Sequence, residues 1–166
     1  MRKLIFIVCL CILSHSSFGQ YSFTATATAT ATVSSTYALS FSSLVGTSSL
    51  TTLNDYLNGQ TTANYARFEI KSNVPWVLEF TSNAALFTAT GGGASTNMPC
   101  SIVSIRVNGT STFKALTTTT QALTTGNRGP VSTSGNTFNI DVNYNPGLNY
   151  NGGTYSLNVL YTLTSQ

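Results

Sequence analysis

Beyond residue 20, four carboxylates (Asp55, Glu69, Glu79 and Asp141) and one cysteine, Cys100, are the only Asp, Glu, His or Cys side chains in the sequence. General acid–base catalysis and metal binding draw on clusters of these types, so their spacing decides what they could do. Glu69 and Glu79 flank a turn at Pro75 and could face each other across a hairpin, as the two carboxylates of a glycosidase do. Arg67 and Lys71 beside Glu69 favour a plainer reading, in which these charges balance on a solvated face. Asp141, Asn143 and Asn145 put oxygen donors at alternate positions, as the opening of a calcium loop does. Pro146 stands where that loop needs glycine, and Gly152 where it needs a bidentate Glu. On a strand, the three residues simply form a polar outer face. Cys100 has no histidine to activate it and reads as a small buried apolar residue. The glycine run Gly91–Gly93 lacks the following Lys-Ser/Thr and helix of a phosphate loop. Tyr144 and Tyr150, beside and within the last loop, could stack on sugar rings or cap the end of a sandwich. No catalytic, cofactor-binding or metal-ligating set is assigned, and the expectation is a protein that is not an enzyme and carries no cofactor.

The elements that would position these residues are strands. NYARFEIKS sets Ala66, Phe68 and Ile70 on one face and Tyr65, Arg67, Glu69 and Lys71 on the other. Ser72–Pro75 turns the chain, and WVLEF then points Trp76, Leu78 and Phe80 inward. TYALSFSSL and AALFTAT supply further strands. CSIVSIRVNG turns at Asn108-Gly109 and returns through TSTFKAL as a hairpin. NTFNIDVNY places Phe138, Ile140, Val142 and Tyr144 on one face. Tyr155, Leu157, Val159, Tyr161 and Leu163 alternate along one closing strand. The single exception to period two is SSLTTLNDYLNGQ. There Leu50, Leu53 and Leu57 recur at helical spacing, Ser48 or Ser49 can cap the start, and Gly59 can end the helix. Its leucines read as packing residues. About eight short strands between Gly, Pro and Asn turns predict an all-β fold, an antiparallel immunoglobulin-like β-sandwich with one short helix.

The N-terminus divides the chain. Arg2 and Lys3, the apolar run Leu4–Leu13, and Ser17 and Gly19 ahead of Gln20 have the order of a cleaved signal peptide over residues 1–19. The apolar run is too short to span a bilayer, so no membrane span is expected after cleavage. Residues 20–34 form a long strand or arm. From Phe23 to Val33, apolar residues (mostly alanine) alternate with threonine, and 35–166 is the sandwich domain. Register on an alanine face is weakly specified.

Removing the signal leaves five cations against four carboxylates, a net charge of +1. The cations Arg67, Lys71, Arg106, Lys114 and Arg128 are scattered singly, so no patch exists to neutralise several phosphates and nucleic acid is excluded as a partner. Charged residues make up 7% of the chain, against roughly 25% in ordinary soluble domains, so Thr, Ser and Asn must carry solubility.

Gly152–Thr164 (GGTYSLNVLYTLT) resembles the closing strand of bacterial fimbrial subunits and of spore-coat-U-like secreted proteins. Ser72–Phe80 together with Tyr161–Leu163 is similar to the paired motifs of WxL-type cell-wall-binding domains, with Tyr161 where those carry Trp. These resemblances imply an exported bacterial β-sandwich at the cell surface, in the periplasm or outside the cell, with a structural or adhesive role. The fimbrial resemblance further implies that the arm at Phe23–Val33 pairs with a second copy of the chain; the alternatives are a first strand inserted into its own sheet and a low-complexity leader without fixed structure. The chain departs from those subunits in its alanine face and in having no disulfide. The WxL-type resemblance, with Tyr144 and Tyr150, points instead to a surface glycan or cell wall as the partner.

Overall fold

The computed structural model describes residues 31–44 and 49–166. The expected signal peptide, most of the arm and the Ser48 cap lie outside these residues. Ser34–Gln166 forms one compact unit, and among the described residues its regular structure is nearly all antiparallel strand.

The order is β1 (Tyr37–Ser43), α1 (Leu53–Asn58), β2 (Gln60–Ser72), β3 (Trp76–Ser82), β4 (Thr88–Thr90), β5 (Val103–Val107), β6 (Lys114–Ala115), β7 (Gln121–Gly126), β8 (Thr137–Tyr144), β9 (Thr154–Ser156) and β10 (Val159–Ser165). One sheet runs β1-β2-β8-β5-β6, a second β10-β3-β7, and β4 pairs with β9 in a small third ladder. The two larger sheets face each other as a sandwich. Alternation decides which side chains lie between them: Ala66, Phe68 and Ile70 of β2 and Trp76, Leu78 and Phe80 of β3 are fully buried. Ile105 and Ile140 join from β5 and β8, and Leu123 and Leu163 from β7 and β10. Each large apolar side chain so buried stabilises the fold by roughly 1.5–3 kcal/mol.

The chain changes sheets between β2 and β3, and a serine makes the corner. The Ser72 hydroxyl donates to Val74 O at 2.7 Å and accepts from Val74 N–H at 3.2 Å. Ser82 repeats the device with Ala84 at the end of β3. These hydroxyls satisfy backbone groups that the ladder has just released.

Trp76 anchors one end of the sandwich, opposite the last residues of β7 and β10. Its indole N–H is shared between Asn136 Oδ1 and Asn127 O, each at 3.1 Å. Gly126 lies against the ring so closely that a Cβ there would sit 2.1 Å from Cζ2. From Trp76 a file of rings crosses the core: Phe138 at 6.3 Å, then Phe68 at 5.5 Å, then Tyr161 at 4.9 Å and Phe41 at 5.2 Å.

Several expectations need correction. The helix is capped by Thr52 in a reciprocal box with Asp55, because Thr52 stands three residues before a carboxylate that can reach back. Leu53 and Leu57 are 65% and 56% exposed, so they are not packing residues. Gly59 does end the helix, at φ +74, where a Cβ would come 2.8 Å from Tyr144 O. The closing segment is not one strand: it breaks at Leu157-Asn158, where Asn158 exchanges bonds with Asn83. Its first part pairs with β4 and its second with β3. The Asn108-Gly109 turn is present, with Thr110 N–H donating to Val107 O and Gly109 at φ +85. Only Ser104–Ile105 and Lys114–Ala115 pair beyond it. Finally, the Thr-, Gly- and Ser-rich stretch 117–135, to which the sequence pattern assigns no strand, contains β7, whose sole buried apolar residue is Leu123.

Candidate functional site

The carboxylates do not converge. Glu69 and Glu79 lie on different sheets, Glu69 opposite Ser40 and Thr137, Glu79 opposite Thr162 and Ala122. They therefore cannot face one another across a hairpin. Glu69 pairs instead with Arg67 at 2.9 Å on the surface. Asp55 accepts backbone N–H bonds from Thr52 and Thr51, which hold its carboxyl below the usual range. Among the described residues, no group of three His, Cys, Asp or Glu is placed to hold a metal ion. Cys100 is buried and its thiol donates to Leu116 O at 3.4 Å.

Asp141 is the exception to the expected polar outer face, being only 1% exposed. A bulge in β2 between Thr62 and Ala66 puts Asn64 at φ +52 and turns its N–H onto Asp141 Oδ1 at 3.0 Å. Asn108 Nδ2 reaches the same oxygen at 2.8 Å, and Arg106 Nε meets the other at 2.9 Å. Burial alone would raise the pKa. The bonds from Asn108, Asn64 and Arg106 outweigh it and hold the carboxyl below its ordinary value. Its neighbour Asn143 is spent on Thr61 Oγ1 at 2.9 Å. This is a structural lock of three strands, with β2, β5 and β8 tied through one carboxylate.

What the fold does assemble is an open aromatic cleft. The two sides of the sandwich are unlike. Along one side, Lys114 of β6 donates to the carbonyls of Ala122 and Leu123 of β7, and Gln121 Nε2 donates to Ala115 O. Those bonds stitch the sheets together. Along the other, β1 and β10 are edge strands, each paired on one side only among the described residues. There the sheets meet through the rings of Phe41 and Tyr161, stacked at 5.9 Å. Beside these rings a cavity of about 420 Å³ runs inward as far as the core residues Ile105, Leu116 and Val142.

Tyr65, Tyr144 and Tyr161 converge in this cavity. Burial, with Tyr65 and Tyr144 close by, pushes the Tyr161 phenol far above its ordinary value, so it stays neutral. A second cavity of about 500 Å³ lies towards the last loop and shares Phe87, Tyr144 and Tyr155 with the first. Tyr144 and Tyr150, singled out in the sequence, both line it. Tyr56, Tyr65, Tyr155 and Tyr161 were missed as cleft residues. Their positions on four separate elements leave no spacing in the sequence that would group them.

Neither a scan against protein-family models nor a search of curated proteins returns any match to this chain.

Proposed function

We propose that this chain is an exported, non-enzymatic structural or adhesion protein of a bacterial surface, a fimbria-like subunit that assembles by strand pairing. The observation that carries this reading is the asymmetry of the sandwich, stitched by side-chain bonds at β6 and β7 and, among the described residues, open at β1 and β10. An open edge offers backbone N–H and C=O groups to another strand. Here the edge is also flanked by an aromatic-lined cavity reaching the core, which a strand's inward side chains would enter.

The sequence supplies a strand of the right kind in Tyr21–Val33. Its alanines are small enough to slide past the rings of Phe41 and Tyr161 without displacing them. The chain leaves the domain at a defined point. Asn73 clamps Ser34–Thr36 through its side-chain oxygen to Thr36 N–H and its amide to Ser34 O, both at 2.7 Å. The end of β10 lies at the same turn, with Gln166 N–H donating to Pro75 O. An arm folding back from Ser34 onto its own β10 would have to run parallel to it. The arm of a second copy is free to pair antiparallel with β10, the more stable ladder, whereas on β1, which starts at the same turn, the chain's own arm would also run antiparallel.

Size-exclusion chromatography of the mature chain over a concentration series tests the reading. Assembly gives higher-order species whose fraction rises with concentration. A strictly monomeric protein at every concentration would refute it.

A further inference from the structure

The second cavity has a chemistry of its own, separate from strand pairing. Its lining contains no Lys, Arg, Asp or Glu, and neither does that of the adjoining cavity. A charged ligand would lose its hydration there without gaining a counter-charge. The walls are instead the rings of Tyr56, Phe87, Tyr144, Tyr150 and Tyr155. Among them the lining includes Ser49, Thr51, Thr154 and the segment Asn151–Gly153, which carry neutral hydrogen-bonding groups. Aromatic faces bordered by small neutral hydrogen-bonding groups match one ligand class closely. A sugar ring carries an apolar C–H face and a periphery of hydroxyls that both donate and accept.

Tyr56, Tyr155 and the backbone around Asn151 are also held in place before any ligand arrives. Asn151 N–H donates to Ser95 Oγ at 2.8 Å and its Nδ2 to Gly93 O at 2.9 Å, tying the last loop to the Gly91–Ser95 loop. The Tyr155 hydroxyl accepts from Ser95 N–H and donates to Asn151 O, and its ring stands edge-on to Phe87 at 6.4 Å. The Tyr56 hydroxyl donates to Leu50 O at 3.2 Å. Gly153 packs against Ala94, where an added Cβ would come within 2.5 Å of that methyl carbon. Side chains fixed in this way lose little further freedom on binding. The volume, about 500 Å³, falls within the usual range of small-ligand sites.

We propose that the cleft lined by Tyr56, Tyr144, Tyr150 and Tyr155 is a binding site for a neutral oligosaccharide, with Tyr150 as a stacking platform. A fatty chain would leave the Ser, Thr and backbone groups of the lining without partners. An acidic glycan would bring charge into a lining that has nothing to meet it.

The test is isothermal titration of the mature chain with cellotriose, xylotriose, chitotriose and trigalacturonate as probes, together with a synthetic peptide of residues 20–33. At least one of the three neutral sugars should bind saturably, and the acidic one should not. Tyr150→Ala should weaken that binding about tenfold or more, whereas Tyr150→Phe, which keeps the ring, should stay within about threefold. Tyr150 is only partly buried on a loop, so both variants should keep the parent melting temperature. Binding of none of the neutral sugars, binding of trigalacturonate alone, or equal binding by Tyr150→Ala would each overturn the proposal. So would displacement of the bound sugar by the peptide, which would make the cleft part of the strand seat.

Discussion

Asn136 Oδ1 accepts the indole N–H of Trp76 at 3.1 Å while its own Nδ2 donates to the carbonyls of Gly129 and Pro130. Both side chains are fully buried. One amide thus satisfies the only polar atom of the largest core residue and pins the irregular chain between β7 and β8. Trp76→Ala should cost roughly 3–5 kcal/mol, measured by urea unfolding. Asn136→Ala removes the buried amide that bonds Trp76 Nε1 and the Gly129 and Pro130 carbonyls, which keep Asn127 O, Ser72 N–H and Thr133 N–H as their other partners, and should cost about 1–3 kcal/mol. The native tryptophan emission should be blue-shifted and resistant to acrylamide. An exposed, readily quenched Trp76 would contradict this packing.

Gly126 tests the same contact from the other side. An alanine there would drive its Cβ into the Trp76 ring, so Gly126→Ala should destabilise the domain by about 1–3 kcal/mol, as overpacking does. Gly109→Ala is the contrast. No atom lies within 4 Å of a Cβ at that position, so its cost comes from positive φ alone and should be smaller, about 1 kcal/mol. Thermal unfolding of the pair should rank them in that order.

Asp141 should make the domain acid-sensitive. Its folded pKa is depressed below the unfolded value of about 3.9 by Asn108, Asn64 and Arg106. Its contribution is therefore complete above about pH 4 and is lost as pH falls through the folded pKa. Asp141→Asn should cost about 3 kcal/mol near neutrality, because it leaves Arg106 unpaired. The gap in melting temperature between parent and variant should narrow steadily below about pH 4. A gap that stays constant down to pH 2 would show that the carboxylate is not held charged by these partners.

Much of this architecture was legible in the sequence, and the reason is physical. Where one face is buried and the other solvated, as in Ala66–Ile70, Trp76–Phe80 and Phe138–Tyr144, alternation directly reports the core. β7 escaped because threonine carries β-propensity without the apolar contrast that marks a face. The break at Leu157-Asn158 escaped because the alternation continues unbroken across it. Only the exchange of Asn158 with Asn83, distant in sequence, ends the strand there. Asp141 looked solvated because nothing local announces the bulge at Asn64 that covers it. The aromatic cleft was half visible: Tyr144 and Tyr150 stand beside one loop, while Tyr56 and Tyr155 reach it through tertiary contacts alone.

Backbone pairing by the arm makes an uncommon demand on substitutions. Alanine side chains bury little, so ladder bonds rather than pockets should hold the strand. Ala27→Pro removes a donor and should abolish multimers, whereas Thr28→Ala should leave them intact. Multimers that tolerate proline at position 27 would exclude this strand as the pairing element.

The most direct measurement of the assembly claim is sedimentation equilibrium of two chains, Gln20–Gln166 and Ser34–Gln166, under identical conditions. The longer chain is expected to associate reversibly. The shorter should remain a folded monomer with the β1–β10 side open, because it keeps the two facing sheets and the core residues between them. An identical oligomeric state and an identical melting temperature for both chains would contradict strand pairing in any form.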